Sequence, residues 1–227
     1  ALKTLNLREA HLTRVFINLD NLTHNMALLQ ELAGECSLWP AIKANAYGHG
    51  AEIIARHLID LGYTTLGVAN VFEAVELIEK GIKALYVVLS PGLSENSEYF
   101  VRYDIEAVVC TLDQVRGLAE AARKAKKQVA VHLKVETGTG RQGVLPEQVR
   151  GFVQRLQAVP GVRLVGVSTH FANIEDTLNH EYAQSQLDKF QQALGDLGEL
   201  KVKPRYIHTA ACFHYFMQGN CSGTNLI

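Results

Sequence analysis

Short apolar runs rich in β-branched residues alternate along this chain with longer segments whose apolar positions recur at three- and four-residue steps. That alternation restricts the fold more than any other feature, because strands separated by helix-length crossovers pair in parallel. Strand-type runs fall at 38–43, 65–69, 84–89, 106–110, 129–135, 162–169 and 206–208, and 223–227 begins or forms one more. Helix-type segments fall at 20–33, 51–61, 73–80, 112–126, 146–157 and 182–197, and 14–19 reads as an initial strand. Asp20 or Asn21 is expected to cap the first helix, whose apolar stripe is Leu22, Met26, Leu29 and Ala33. Gly62 and Gly81 stop the second and third. In parallel α/β folds the groups that handle ligands collect where strands end, so the residues just after each strand carry the functional information.

The run from Leu38 ends in Lys43 and a small-residue turn, Ala44-Asn45-Ala46-Tyr47-Gly48-His49-Gly50. With Trp39, Ala41 and Ile42 before it, the lysine is expected at the end of a buried strand, where desolvation favours the neutral amine. A neutral amine is a nucleophile that forms a Schiff base with an aldehyde cofactor, pyridoxal phosphate being the commonest. The competing reading is a lysine whose stem packs at the strand end while its head reaches water.

The rest of the composition excludes several classes. A chain of 227 residues, 48% hydrophobic and 20% charged, builds a substantial core. Its net charge of −1 argues against a nucleic-acid or anionic-membrane partner, and the basic cluster Arg123-Lys124-Ala125-Lys126-Lys127 reads as a solvated helix end. No apolar run approaches the roughly 20 residues of a membrane span, and no signal-peptide core opens the chain. Cys36, Cys110, Cys212 and Cys221 are scattered and form no Cys-x2-Cys pair, which fits a reducing cytoplasm. His208 and His214 have no carboxylate at a recognisable ligand spacing, so no metal site is expected.

Residue for residue, Lys43-Ala44-Asn45-Ala46-Tyr47-Gly48-His49-Gly50 resembles the cofactor-lysine signature of the alanine racemase family. The resemblance implies pyridoxal 5'-phosphate on Lys43, in a (β/α)8 TIM-type barrel of the α/β class that takes up residues 1–227, with 1–37 giving the initial strand and first helix. It implies reversible abstraction of a Cα proton from a small amino acid, interconverting L- and D-alanine and so serving D-alanine biosynthesis and the cell wall.

Two further stretches resemble family motifs. Glu136-Thr137-Gly138-Thr139-Gly140-Arg141-Gln142-Gly143 holds an arginine among three glycines, which alone reads equally as a plain surface turn. Together with His132-Leu133-Lys134-Val135 it is similar to the family's second motif. Arg141 would then bind the cofactor's phenolic oxygen and the substrate carboxylate, and Lys134 would take the place of a carbamylated lysine that orients the arginine. Ser168-Thr169-His170-Phe171 puts a histidine at a strand end, where a core histidine is the plainer reading. The family carries Thr-His-Phe there, with the imidazole beside the cofactor ring.

The last segment departs from the pattern. His208-Thr209-Ala210-Ala211-Cys212 replaces a His-x-Ala-Asn-Ser stretch, so the phosphate-binding serine becomes Cys212, a weaker donor. The phosphate would fall to Cys212, the Tyr47 hydroxyl and backbone N–H groups around Gly223 and Thr224. Aligning the eighth-strand glycine with Gly223 puts Cys221 where most members have an arginine on the pyridine nitrogen. The tyrosine that serves the opposite face of Cα comes, in the family, from a β domain of the partner subunit in a homodimer. That domain is not in this sequence, which is therefore expected to be a truncated or incomplete member. The alternative is a non-catalytic barrel that carries pyridoxal phosphate for cofactor homeostasis.

Overall fold

A computed structural model of the protein describes residues 15–172, 181–210 and 224–226. Eight parallel strands form its centre: β1 (Ser37–Leu38), β2 (Thr65–Val68), β3 (Leu85–Val88), β4 (Glu106–Val109), β5 (Val129–Lys134), β6 (Val162–His170), β7 (Tyr206–Ala210) and β8 (Thr224–Leu226). Their spatial order is β1-β8-β7-β6-β5-β4-β3-β2. The ends of that order meet at a parallel bridge between Ala41 and Gly67, where Ile42 N–H donates to the Gly67 carbonyl at 2.8 Å and Gly67 N–H to the Pro40 carbonyl at 2.9 Å. The sheet thereby closes into the (β/α)8-type barrel, which removes exposed strand edges.

Outside lie α1 (Leu19–Ala33), α2 (Ala51–Asp60), α3 (Val71–Glu79), α4 (Ser97–Arg102), α5 (Leu112–Ala125), α6 (Val149–Gln157) and α7 (Glu181–Glu199). Their buried faces meet the outward residues of the strands in one large core that includes Leu58, Leu66, Val109, Leu133 and Leu156. Each such side chain contributes roughly 1.5–3 kcal/mol by leaving water. A second, smaller cluster fills the barrel interior, where Trp39, Val87 and Val108 pack with Leu89 and Tyr206.

Several expectations shift. Residues 15–18 form no strand, α1 begins at Leu19, and its cap is Asn18, whose Oδ1 accepts the Asn21 N–H at 3.1 Å, rather than Asp20 or Asn21. The first barrel strand is shorter than 38–43, and Lys43 lies beyond it, because the chain turns as soon as Ile42 has paired with β2. Helix α4 was not expected, since six residues carry too few turns to show a period. Thr111 and Gln114 form a reciprocal cap that starts α5. No helix among the described residues is long and apolar enough to cross a membrane.

Candidate active site

Lys43 opens a single left-handed turn. Ala44, Asn45 and Ala46 have φ of 51°, 56° and 52° with ψ of 50°, 45° and 48°, and Tyr47 follows at φ 54°. This conformation costs L-residues roughly 1–2 kcal/mol each, so the segment uses alanine, with the smallest side chain, and asparagine, which tolerates it best. Four such residues in a row persist only where surrounding contacts over-determine them. Ala46 N–H donates to the Ile42 carbonyl at 2.8 Å, and the Asn45 side chain accepts the Ala51 N–H at 2.7 Å, tying the turn to α2. Lys43 is half-buried rather than sealed in a strand, with its Nζ 5.8 Å from the centroid of the exposed Tyr47 ring.

The Arg141 loop is organised by the carboxylate of Glu136. That group accepts the N–H of Gly138 at 2.6 Å and of Arg141 at 3.1 Å. Burial opposes its ionisation, but backbone donors at Arg141, Gly138, Gly140 and Thr139 outweigh burial and hold its carboxyl below the ordinary range. The loop is tight enough to require glycine, since a Cβ at Gly143 would lie 2.5 Å from the Glu136 nitrogen.

Gln186 of α7 ties this loop to the histidine strand. Fully buried, it accepts the Ala172 N–H at 2.9 Å and donates to Thr137 Oγ1 at 3.2 Å and to the His170 carbonyl at 3.3 Å. Thr139 Oγ1 donates to the same carbonyl at 2.6 Å. Leucine at 186 would leave the Ala172 N–H without its acceptor, while Thr137 Oγ1 keeps Thr169 and the His170 carbonyl keeps Thr139, so Gln186→Leu is expected to cost about 2 kcal/mol in urea denaturation.

Lys134 points into the barrel near its mouth and is buried. Burial first, then the charges of Arg141 and Lys43, bring its pKa down to about 8 from 10.5. Between those two values the unfolded chain binds a proton that the folded one lacks, so stability rises with pH through the window and the penalty is complete below 8. Lys134→Met is expected to be more stable than the parent at pH 7 by roughly 3 kcal/mol, with the difference gone near pH 10.5. Denaturant midpoints across pH 7–10.5 check it.

Beneath the mouth runs a polar chain that sequence reasoning missed. Glu106 Oε2 lies 2.7 Å from His132 Nε2, and His132 Nδ1 lies 2.9 Å from His208 Nε2. Burial, then His132 and Lys134, hold the His208 pKa well below its ordinary value, so it is neutral. The signal was present in the alternation: His132 and Lys134, like Tyr206 and His208, are polar at successive inward positions of one strand.

Lys43, Tyr47, Lys134, Arg141, His170 and His208 all line one cavity of about 980 Å³. The structure thus brings together the residues of all three motifs. Cys212 and Gly223 lie outside the described residues, and Thr224 is described only as the backbone start of β8. A primary amine beside a guanidinium, an imidazole and a phenol suits an anionic aldehyde, and the volume sits at the upper end of small-molecule sites.

A family model described as "Alanine racemase, N-terminal domain" matches residues 17–223. The chain belongs to the alanine racemase family. It is similar to the alanine racemase of Clostridium novyi (strain NT), 36% identical over 198 residues, which are 86% of this chain and 51% of that one. That of Chlorobaculum tepidum is 33% identical over 82% of this chain and 49% of its own. The alanine racemase of Clostridium difficile 630, solved in complex with cycloserine, superposes with a TM-score of 0.81 at 31% identity, covering 86% of this chain and 54% of that one. Histidine racemase from Leuconostoc mesenteroides subsp. sake superposes with a TM-score of 0.82 at 25% identity, over 92% and 56%. The chain spans about half the length of these relatives.

Proposed function

We propose that this chain is the barrel of a pyridoxal-phosphate-dependent amino-acid racemase acting on alanine. The observation that carries the reading is the convergence of Lys43, Lys134, Arg141 and His170 on one cavity at the barrel mouth. The named relatives are racemases, which favours this reading over a cofactor carrier.

Bound on Lys43, the cofactor supplies an electron sink for the pair of electrons left when the Cα–H bond breaks. Lys43 then holds or returns the proton on one face of Cα, by proximity at the end of its turn. Arg141 fixes the substrate carboxylate through paired N–H donors, and the backbone hydrogen bonds to Glu136 keep its loop in place. His170, which lines the same cavity, would flank the cofactor ring. Tyr47, Cys212 and the backbone at Gly223 and Thr224 would hold the phosphate. Lys134, with its pKa near 8, is partly unprotonated at neutral pH and can take up carbon dioxide as a carbamate that orients Arg141. A group on the opposite face completes the exchange of hands, and the reading assigns it to a tyrosine of a partner subunit in a homodimer.

The test is exchange of the alanine Cα proton in deuterated water with pyridoxal phosphate present. Exchange that depends on Lys43 and Arg141 supports the reading, and cofactor binding without any exchange supports a carrier instead.

A further inference from the structure

Glu73 has no part in the site as described so far, yet both of its carboxylate oxygens are spent on main chain, one of them on the residue after Lys43. Oε1 accepts the N–H of Ala44, the residue after the lysine, at 3.0 Å. Oε2 accepts the N–H of Ala69, just past the end of β2, at 2.8 Å. A glutamate in the first turn of a helix ordinarily needs no further account, since it complements the positive helix end. Here the first-turn N–H groups of Phe72 and Glu73 are already met by the Asn70 side chain, at 3.0 and 3.2 Å. Oε2 folds back onto the residue before the Asn70 cap, while Oε1 leaves α3 altogether for the Lys43 turn.

The two groups it joins belong to the segments that close the barrel. Gly67 of β2 already grips the chain on the near side of Lys43 through Pro40 and Ile42. Glu73 grips it on the far side, at the first of the four residues of positive φ. A strained turn held at both ends of its lysine has one orientation, while a turn held at one end can relax toward right-handed backbone and swing the side chain.

We propose that Glu73 is the positioning residue for Lys43: by bridging Ala44 and Ala69 it holds the left-handed turn that aims the lysine amine into the cavity. The proposal rests on the reading of Lys43 as the cofactor-bearing group. It requires two acceptor oxygens at 73. Glutamine offers one oxygen and turns an NH2 group toward the other N–H, and aspartate keeps both oxygens on a side chain one methylene shorter.

The experiment compares the parent protein with Glu73→Gln, Glu73→Asp and Lys43→Ala. Amide hydrogen exchange is followed without cofactor, and added pyridoxal phosphate is followed by absorbance across pH. In Glu73→Gln the Ala44 and Ala69 amides are expected to exchange at least tenfold faster while those of β5 are unchanged. Apparent cofactor affinity should fall at least tenfold, the pH profile of the lysine-bound absorbance should move, and Glu73→Asp should recover part of each. Unchanged exchange at Ala44 with unchanged affinity overturns the proposal. So does equal acceleration of all amides, β5 included, which would mark a general loss of stability. A lysine-bound absorbance that persists in Lys43→Ala refutes the reading of Lys43 instead, and exchange at Ala44 then still decides whether Glu73 holds the turn.

Discussion

Lys43→Ala is expected to abolish the absorbance of the lysine-bound cofactor and to slow Cα proton exchange by about 10⁴-fold, the scale of losing a covalent and proton-transfer group together. The size of the effect follows from the uniqueness of the position. Among the cations lining the cavity, Lys134 is buried in the barrel and Arg141 cannot form the covalent link. A second readout does not depend on turnover. A ligand at a hundred times its dissociation constant stabilises the folded state by about 2.7 kcal/mol. Pyridoxal phosphate should raise the melting temperature of the parent and leave that of Lys43→Ala nearly where it was.

Gly166→Ala is expected to be the most damaging single-methyl change in the barrel. A Cβ at Gly166 would lie 2.0 Å from His132 Nδ1, the atom that joins His132 to His208. The ring cannot move aside without parting from Glu106 or His208. Overpacking costs about 1–3 kcal/mol and stranding a buried polar group about as much again. At about 2–4 °C per kcal/mol for a chain of this size, the melting temperature should fall by roughly 4–24 °C. Gly195→Ala is the control. Gly195 lies within helix α7 with nothing within 4 Å of an added Cβ, so alanine there should gain about 0.5–1 kcal/mol.

How much of this was legible in the sequence depended on whether the cause was local. The alternation gave all eight strands because parallel strands buried on both faces read as short, largely apolar runs, as at Leu85–Val88. Lys43, Arg141 and His170 were singled out because each stands at or after a strand end within a motif that resembles a known family, and the structure brings them to one cavity. The handedness of the Lys43 turn was not legible, because it runs against local preference and is maintained by Gly67 and Glu73, distant in sequence. For the Glu106, His132 and His208 chain the inward polar positions were legible but the pairing was not, because its partners are 26 and 76 residues apart and meet only when the sheet closes. Gln186 was overlooked for another reason. It stands as the one polar residue in the stripe of Ala183, Phe190, Ala193 and Leu197, and an apolar helical stripe interrupted by an amide is a signal for a buried hydrogen-bonding hub.

The central claim is that the amine of Lys43 carries the cofactor. Borohydride reduction of the protein incubated with pyridoxal phosphate, followed by proteolysis and mass spectrometry, tests it most directly. The account predicts a stable phosphopyridoxyl group on the peptide containing Lys43, formed at stoichiometric cofactor and lost from that peptide in Lys43→Ala. Label on surface lysines alone, with Lys43 unmodified, would contradict it.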